Sequence, residues 1–161
     1  QKEQTNNEIP NIFDQLEENG LIEKKDEKVT ISFNENYESD SYDIKCDEIS
    51  NYKYDYFETE AKRGNKDYYN FHIVFKNKSS VWKTLNSISL TYTDDKGNED
   101  VVAKLHSPNT KEAPNALDFF AKEEVTYTGN MAYELPKYVK DLKLKYENVT
   151  IEIKDFKSKI K

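Results

Sequence analysis

Two stretches alternate strictly between apolar and polar residues, and they limit the fold more than anything else in the chain. In the first, Tyr69, Phe71, Ile73 and Phe75 share one face while Asn70, His72 and Lys76 share the other, with Val74 the one apolar exception. In the second, Val125, Tyr127, Gly129, Met131, Tyr133 and Leu135 oppose Thr126, Thr128, Asn130 and Glu134. A period of two places side chains on opposite sides of an extended backbone, so both read as half-buried β-strands. The same period recurs at Val29, Ile31 and Phe33; at Tyr42, Ile44 and Cys46; at Tyr52, Tyr54 and Tyr56; at Ile88, Leu90 and Tyr92; and at Leu142, Leu144 and Tyr146. At Asn148 the phase moves to Val149, Ile151 and Ile153, which implies a bulge or a tight turn.

Turn chemistry falls between these runs. Asn77 to Ser80 forms a polar corner, Arg63-Gly64-Asn65-Lys66 a turn, and Asp94-Asp95-Lys96-Gly97-Asn98 a hairpin loop whose Gly accepts positive φ. A shorter strand is expected from Asp100 to His106, and a bend or bulge between Glu48 and Ser50. Seven to nine short strands without an interior helix point to an all-β, antiparallel sandwich, with a small closed barrel as the other architecture. Pro10 with Ile12, Phe13 and Leu16 predicts a short N-terminal helix ended by Asn19-Gly20. Residues 1–27 are thus read as leader and helix, 28–156 as the sandwich and 157–161 as a tail.

Composition narrows the class. With 161 residues the chain suits one domain, and 13% aromatic residues supply a core despite 34% charged ones. No apolar run approaches the length of a membrane-spanning helix. Residues 1–60 hold 6 Lys and Arg against 17 Asp and Glu, whereas residues 61–161 hold 18 against 14. That acidic half disfavours nucleic acid and anionic lipid as partners. Lone Cys46 reads as a core residue, and Trp82 as a plug at one end of the sandwich.

Few residues offer chemistry. His72 and His106 have no partners at metal-ligand spacing, and Glu17-Glu18 and Glu123-Glu124 are adjacent pairs, which a strand would send to opposite faces. The Asp94–Asp100 run is superficially like a calcium loop, but Lys96 stands at a ligand position and no closing Glu follows at loop length, so a hairpin turn is preferred. No catalytic, cofactor or metal site is assigned, and no enzyme activity is expected. The candidate partner-binding residues are the tyrosines Tyr52, Tyr54, Tyr56 and Tyr68, whose rings are rigid and amphipathic.

The succession FHIVFKNKSS (71–80), ISLTYTDDKGNE (88–99) and EVTYTGNMAYELPKYVKDLKLKY (124–146) resembles an immunoglobulin-like domain family of unknown function. That family is found in bacterial secreted proteins and lipoproteins and is related in fold to a mycobacterial secreted antigen. The matching features are the turn at Phe75-Lys76-Asn77, the turn from Thr93 to Gly97, the strand from Gly129 to Pro136, and Asp141 to Leu144. The resemblance implies an immunoglobulin-like sandwich at the cell surface, held by a lipidated Cys upstream of Gln1, with QKEQTNNE as polar leader. The expected function is a non-enzymatic binding or structural module whose partner is a protein or a cell-envelope component. The alternative is an inhibitor or immunity-type protein that blocks an enzyme through its acidic surface.

Overall fold

The computed structural model describes residues 27–52, 64–105 and 120–161. The expected helix between Ile9 and Glu18, and with it Tyr54, Tyr56 and His106, lies outside the described residues. Twelve strands are described: β1 (Val29–Ser32), β2 (Tyr37–Glu38), β3 (Tyr42–Asn51), β4 (Lys66–Asn77), β5 (Lys83–Thr84), β6 (Ser89–Tyr92), β7 (Val101–Val102), β8 (Lys104–Leu105), β9 (Phe120–Ala121), β10 (Thr126–Pro136), β11 (Leu142–Tyr146) and β12 (Val149–Ile153). Two 3-10 turns, Leu85–Ser87 and Phe156–Lys159, complete the described elements.

The strands form two five-stranded sheets. Sheet one has the order β1-β12-β11-β6-β7 and sheet two the order β2-β3-β4-β10-β8, while β5 and β9 pair as a small ribbon. The alternating residues of both sheets meet in one core: Phe71, Ile73 and Phe75 from β4, Met131, Tyr133 and Leu135 from β10, and Leu144, Ile151 and Ile153 from sheet one. This is the two-layer arrangement that period-two strands with one apolar face require. Aromatic rings fill much of it in edge-to-face geometry, with Phe71 against Tyr133 at 5.8 Å and Phe75 against Tyr146 at 5.3 Å between centroids.

Four details depart from the sequence reading. The pairing is antiparallel except that β1 runs parallel to β12, Val29 opposite Val149. The strands containing Phe75 and Leu90 lie in opposite sheets, so the chain crosses the core between them through β5 and the 3-10 turn. The single strand expected from Asp100 is divided: β7 pairs β6 in sheet one, β8 pairs β10 in sheet two, and buried Ala103 marks the switch. Trp82 does not plug the sandwich; it is 57% exposed, and its neighbour Lys83 turns inward instead.

Bulge and turns follow their local chemistry. The register of β3 on β4 slips between Cys46 and Glu48, so Asp47 is the extra residue and Ile49 returns to the core. Asp94 closes its loop by accepting the N–H of Lys96 at 2.9 Å and of Asn98 at 2.8 Å on one oxygen, and the Asn98 side-chain amide on the other. Gly97, at φ 86°, occupies the left-handed position expected of it. Glu147 and Asn148 make a two-residue hairpin between β11 and β12 with Glu147 left-handed, which resolves the phase change at Asn148 as a tight turn.

Candidate functional site

Of the candidate tyrosines, Tyr52 and Tyr68 fall on the outer face of sheet two. Tyr52 follows β3 and is held beside β4 by its N–H, which donates to the Tyr68 carbonyl at 3.0 Å. The Tyr52 and Tyr68 rings meet edge to face at 6.5 Å, and with Ala132 of β10 they form an apolar cluster separate from the core. Tyr52 is buried and Tyr68 half-buried. The structure therefore brings two of the four predicted residues together, while Tyr54 and Tyr56 stand outside the described residues.

Two residues along β4 from that cluster stand Asn70 and then His72, whose Nδ1 lies 2.6 Å from Asp47 Oδ1. Both side chains are about one-third exposed. The bulge sets two residues, Asp47 and Glu48, against His72, and Asp47 is the one whose carboxylate meets the imidazole. Opposite His72 on β10 is Asn130. Near the Tyr cluster, Lys66 and Glu134 form a 3.2 Å ion pair. Among the described residues the outer face of sheet two is thus largely polar and ion-paired, with Val74 as an exception and an apolar island at the Tyr52 end.

Sequence reasoning missed Asp47 and Lys83. The spacing of Tyr42, Ile44, Cys46 and Ile49 contains the signal for the first, because a step of three in a period of two requires one extra residue. For Lys83 there is no such signal. Its ammonium is buried between the sheets, 3.1 Å from Glu147 Oε1 and 5.3 Å from the centre of the Tyr42 ring.

Buried Cys46 backs onto the same strand pair from the core side. Burial, reinforced by the negative charge of adjacent Asp47, pushes its thiol up to about 12. Burial likewise raises the Tyr133 phenol, whose O–H donates to the Ile88 carbonyl at 3.2 Å. Among the described residues, no group of three His, Cys, Asp or Glu side chains is placed to hold a metal ion.

No protein-family model and no curated protein matches the chain. Solved structures do resemble it. A Bacillus subtilis protein described as a candidate lipoprotein superposes with a TM-score of 0.54 at 16% identity, covering 75% of this chain and 38% of that one. An uncharacterised β-sandwich protein of Clostridium difficile gives 0.50 at 16% identity, covering 83% and 97%. A secreted protein of Mycobacterium tuberculosis gives 0.53 at 6% identity, covering 79% and 97%. At these identities the likeness is one of fold, and the class it defines with the two sheets above is the β-sandwich. This chain spans little more than a third of the Bacillus subtilis protein.

Proposed function

We propose that the chain is an immunoglobulin-like, non-enzymatic module of an exported bacterial protein, anchored by lipid at its N-terminal side, which presents the outer face of sheet two to a protein or cell-envelope partner. The observation that carries this reading is the half-buried Tyr68 ring, seated on buried Tyr52 and Ala132 on the outer side of a sheet whose other outward residues are mostly polar or ion-paired. A sheet needs no aromatic cluster on that side to pack its core, whereas a binding face uses rigid rings for contact area at small entropic cost. Tyr54 and Tyr56 extend the same sequence alternation and belong to the proposed surface. Export and anchoring draw support from two fold neighbours, one described as a candidate lipoprotein and one as secreted.

The test is a Tyr54→Ser/Tyr56→Ser double variant displayed on the cell surface and compared with the parent by covalent cross-linking to envelope components. The variant loses the cross-linked species and keeps its melting temperature. Unchanged cross-linking by a folded variant would overturn the binding surface. Anchoring is tested separately by metabolic labelling with a palmitate analogue, and a chain released unlabelled into the medium would refute it.

A further inference from the structure

The sandwich has two poles, and one carries a set of apolar residues that nothing in the core requires. At the pole where β1, β3 and β12 begin, Val81 is 68% exposed, Trp82 57% and Val125 41%. They are neighbours. The Asn77 side-chain amide donates to the Val81 carbonyl at 2.8 Å, and the Asn77 carbonyl accepts the N–H of Glu124 at 2.6 Å, which sets Val125 beside the 78–82 loop. Lys122 places its ammonium 5.4 Å from the centre of the Trp82 ring.

The N-terminal end of the described chain arrives at this same pole. Asn148 donates to the Glu27 carbonyl at 2.9 Å, and its neighbour Glu147 is paired with Lys83, the residue after Trp82. Twenty-six residues precede Glu27. An anchor on that side is therefore joined to the domain at the Trp82 pole.

We propose that this pole rests on the surface of a lipid bilayer, with Trp82, Val81 and Val125 entering the interfacial layer. The inference depends on the anchored reading above. Trp is the side chain that settles at the level of lipid headgroups, with its ring in the apolar boundary and its N–H toward water. Lys122, lying over that ring, can extend its ammonium outward from the same position. Charge does not drive the contact: Lys76, Lys78 and Lys83 are each matched to a carboxylate, on Glu124, Asp43 and Glu147. The surface therefore suits zwitterionic headgroups and is insensitive to salt. Three side chains are too few to hold the domain on a bilayer alone, and the tether supplies the local concentration that makes a weak contact persistent.

Trp82 is the sole tryptophan of the chain, so its fluorescence reports this pole without interference. The full chain with an N-terminal polyhistidine tag is attached to phosphatidylcholine vesicles containing a nickel-chelating lipid. The expected result is a blue shift of the emission, loss of quenching by aqueous iodide and gain of quenching by brominated lipid, all unchanged in high salt. A Val81→Asp/Val125→Asp variant, altered only at exposed positions, keeps its melting temperature and loses the shift. Unchanged emission on the vesicles overturns the proposal. So does a blue shift that grows with protein concentration without vesicles, which would assign the pole to a second copy of the chain. Because the vesicle supplies the tether, failure here is distinct from failure of the palmitate labelling.

Discussion

The Tyr42 phenol donates a 2.6 Å hydrogen bond to Asn148 Oδ1, joining the first residue of β3 in sheet two to the β11–β12 turn in sheet one. Asn148 also donates to the Tyr37 hydroxyl at 3.0 Å and to the Glu27 carbonyl, so one side chain ties both sheets and the first described residue. Asn148→Ala leaves several of these groups without their partner and is expected to lower stability by about 2–3 kcal/mol, against about 1 kcal/mol for Tyr42→Phe. Urea denaturation of the two variants checks both the magnitude and the order.

Phe156 closes the opposite pole. Its ring is buried edge to face on Tyr69 at 5.0 Å, and its N–H donates to the Lys140 carbonyl. Beyond it Ile160 bridges to Ile49, and the Lys161 N–H donates to the Ile49 carbonyl. Phe156→Ala removes a large ring from the core and is expected to cost about 3–5 kcal/mol, read as a lower denaturation midpoint.

Cys46 should behave as an inert thiol. With its ionisation pushed up to about 12 and its sulfur shielded, the folded protein is expected to resist iodoacetamide at neutral pH, with labelling appearing only in denaturant. The raised value also fixes a sign. The unfolded chain loses this proton near the ordinary thiol range while the folded one keeps it, so the contribution of Cys46 to stability falls as pH rises from that range toward about 12. Intact-mass analysis of labelled protein would contradict the burial if the folded state reacted.

The Asp94 turn predicts behaviour at the other end of the pH scale. Its carboxylate is held below the usual range first by the Asn98 side-chain amide and then by backbone N–H groups, and Asp100 is held down by the Lys145 ammonium. For a depressed carboxylate the stabilisation is present above the unfolded value and is lost as pH drops through the folded one. The melting temperature should therefore decline below about pH 4, and Asp94→Ala should flatten part of that decline while lowering the melting temperature at neutral pH. Both exposed groups are screened by solvent, so the effect is modest and shrinks in salt.

Much of the architecture was legible because period-two alternation reports directly on burial. Phe71, Ile73 and Phe75, Met131, Tyr133 and Leu135, and Leu142, Leu144 and Tyr146 all point inward as their spacing requires. What alternation cannot report is which strands pair, so neither the parallel β1–β12 contact nor the separation of β4 from β6 could be read. Residue type misled at one place. After the Asn77 corner the inward phase falls on Lys83 and Leu85, and a cation occupies a position that hydropathy would assign to Trp82. The corner resets the phase through side-chain bonds of Asn77 and Ser79 to the Val81 carbonyl, which no hydropathy pattern records. At the candidate face the Tyr pattern singled out Tyr52 and Tyr68, which the fold brings together, but the His72–Asp47 contact could not be read because it requires knowing that β3 lies beside β4 and in which register.

The parallel pairing of β1 with β12 joins residues 120 positions apart, and β12 is the one strand that β1 pairs with. Until Val149–Ile153 is in place, Ile31 has no sheet to complete and sheet one lacks its edge. A ladder of such sequence separation carries a large loop-closure cost and forms slowly. Completion of sheet one thus waits on β12: a chain still emerging from a ribosome leaves β1 without its partner until Val149–Ile153 has come through.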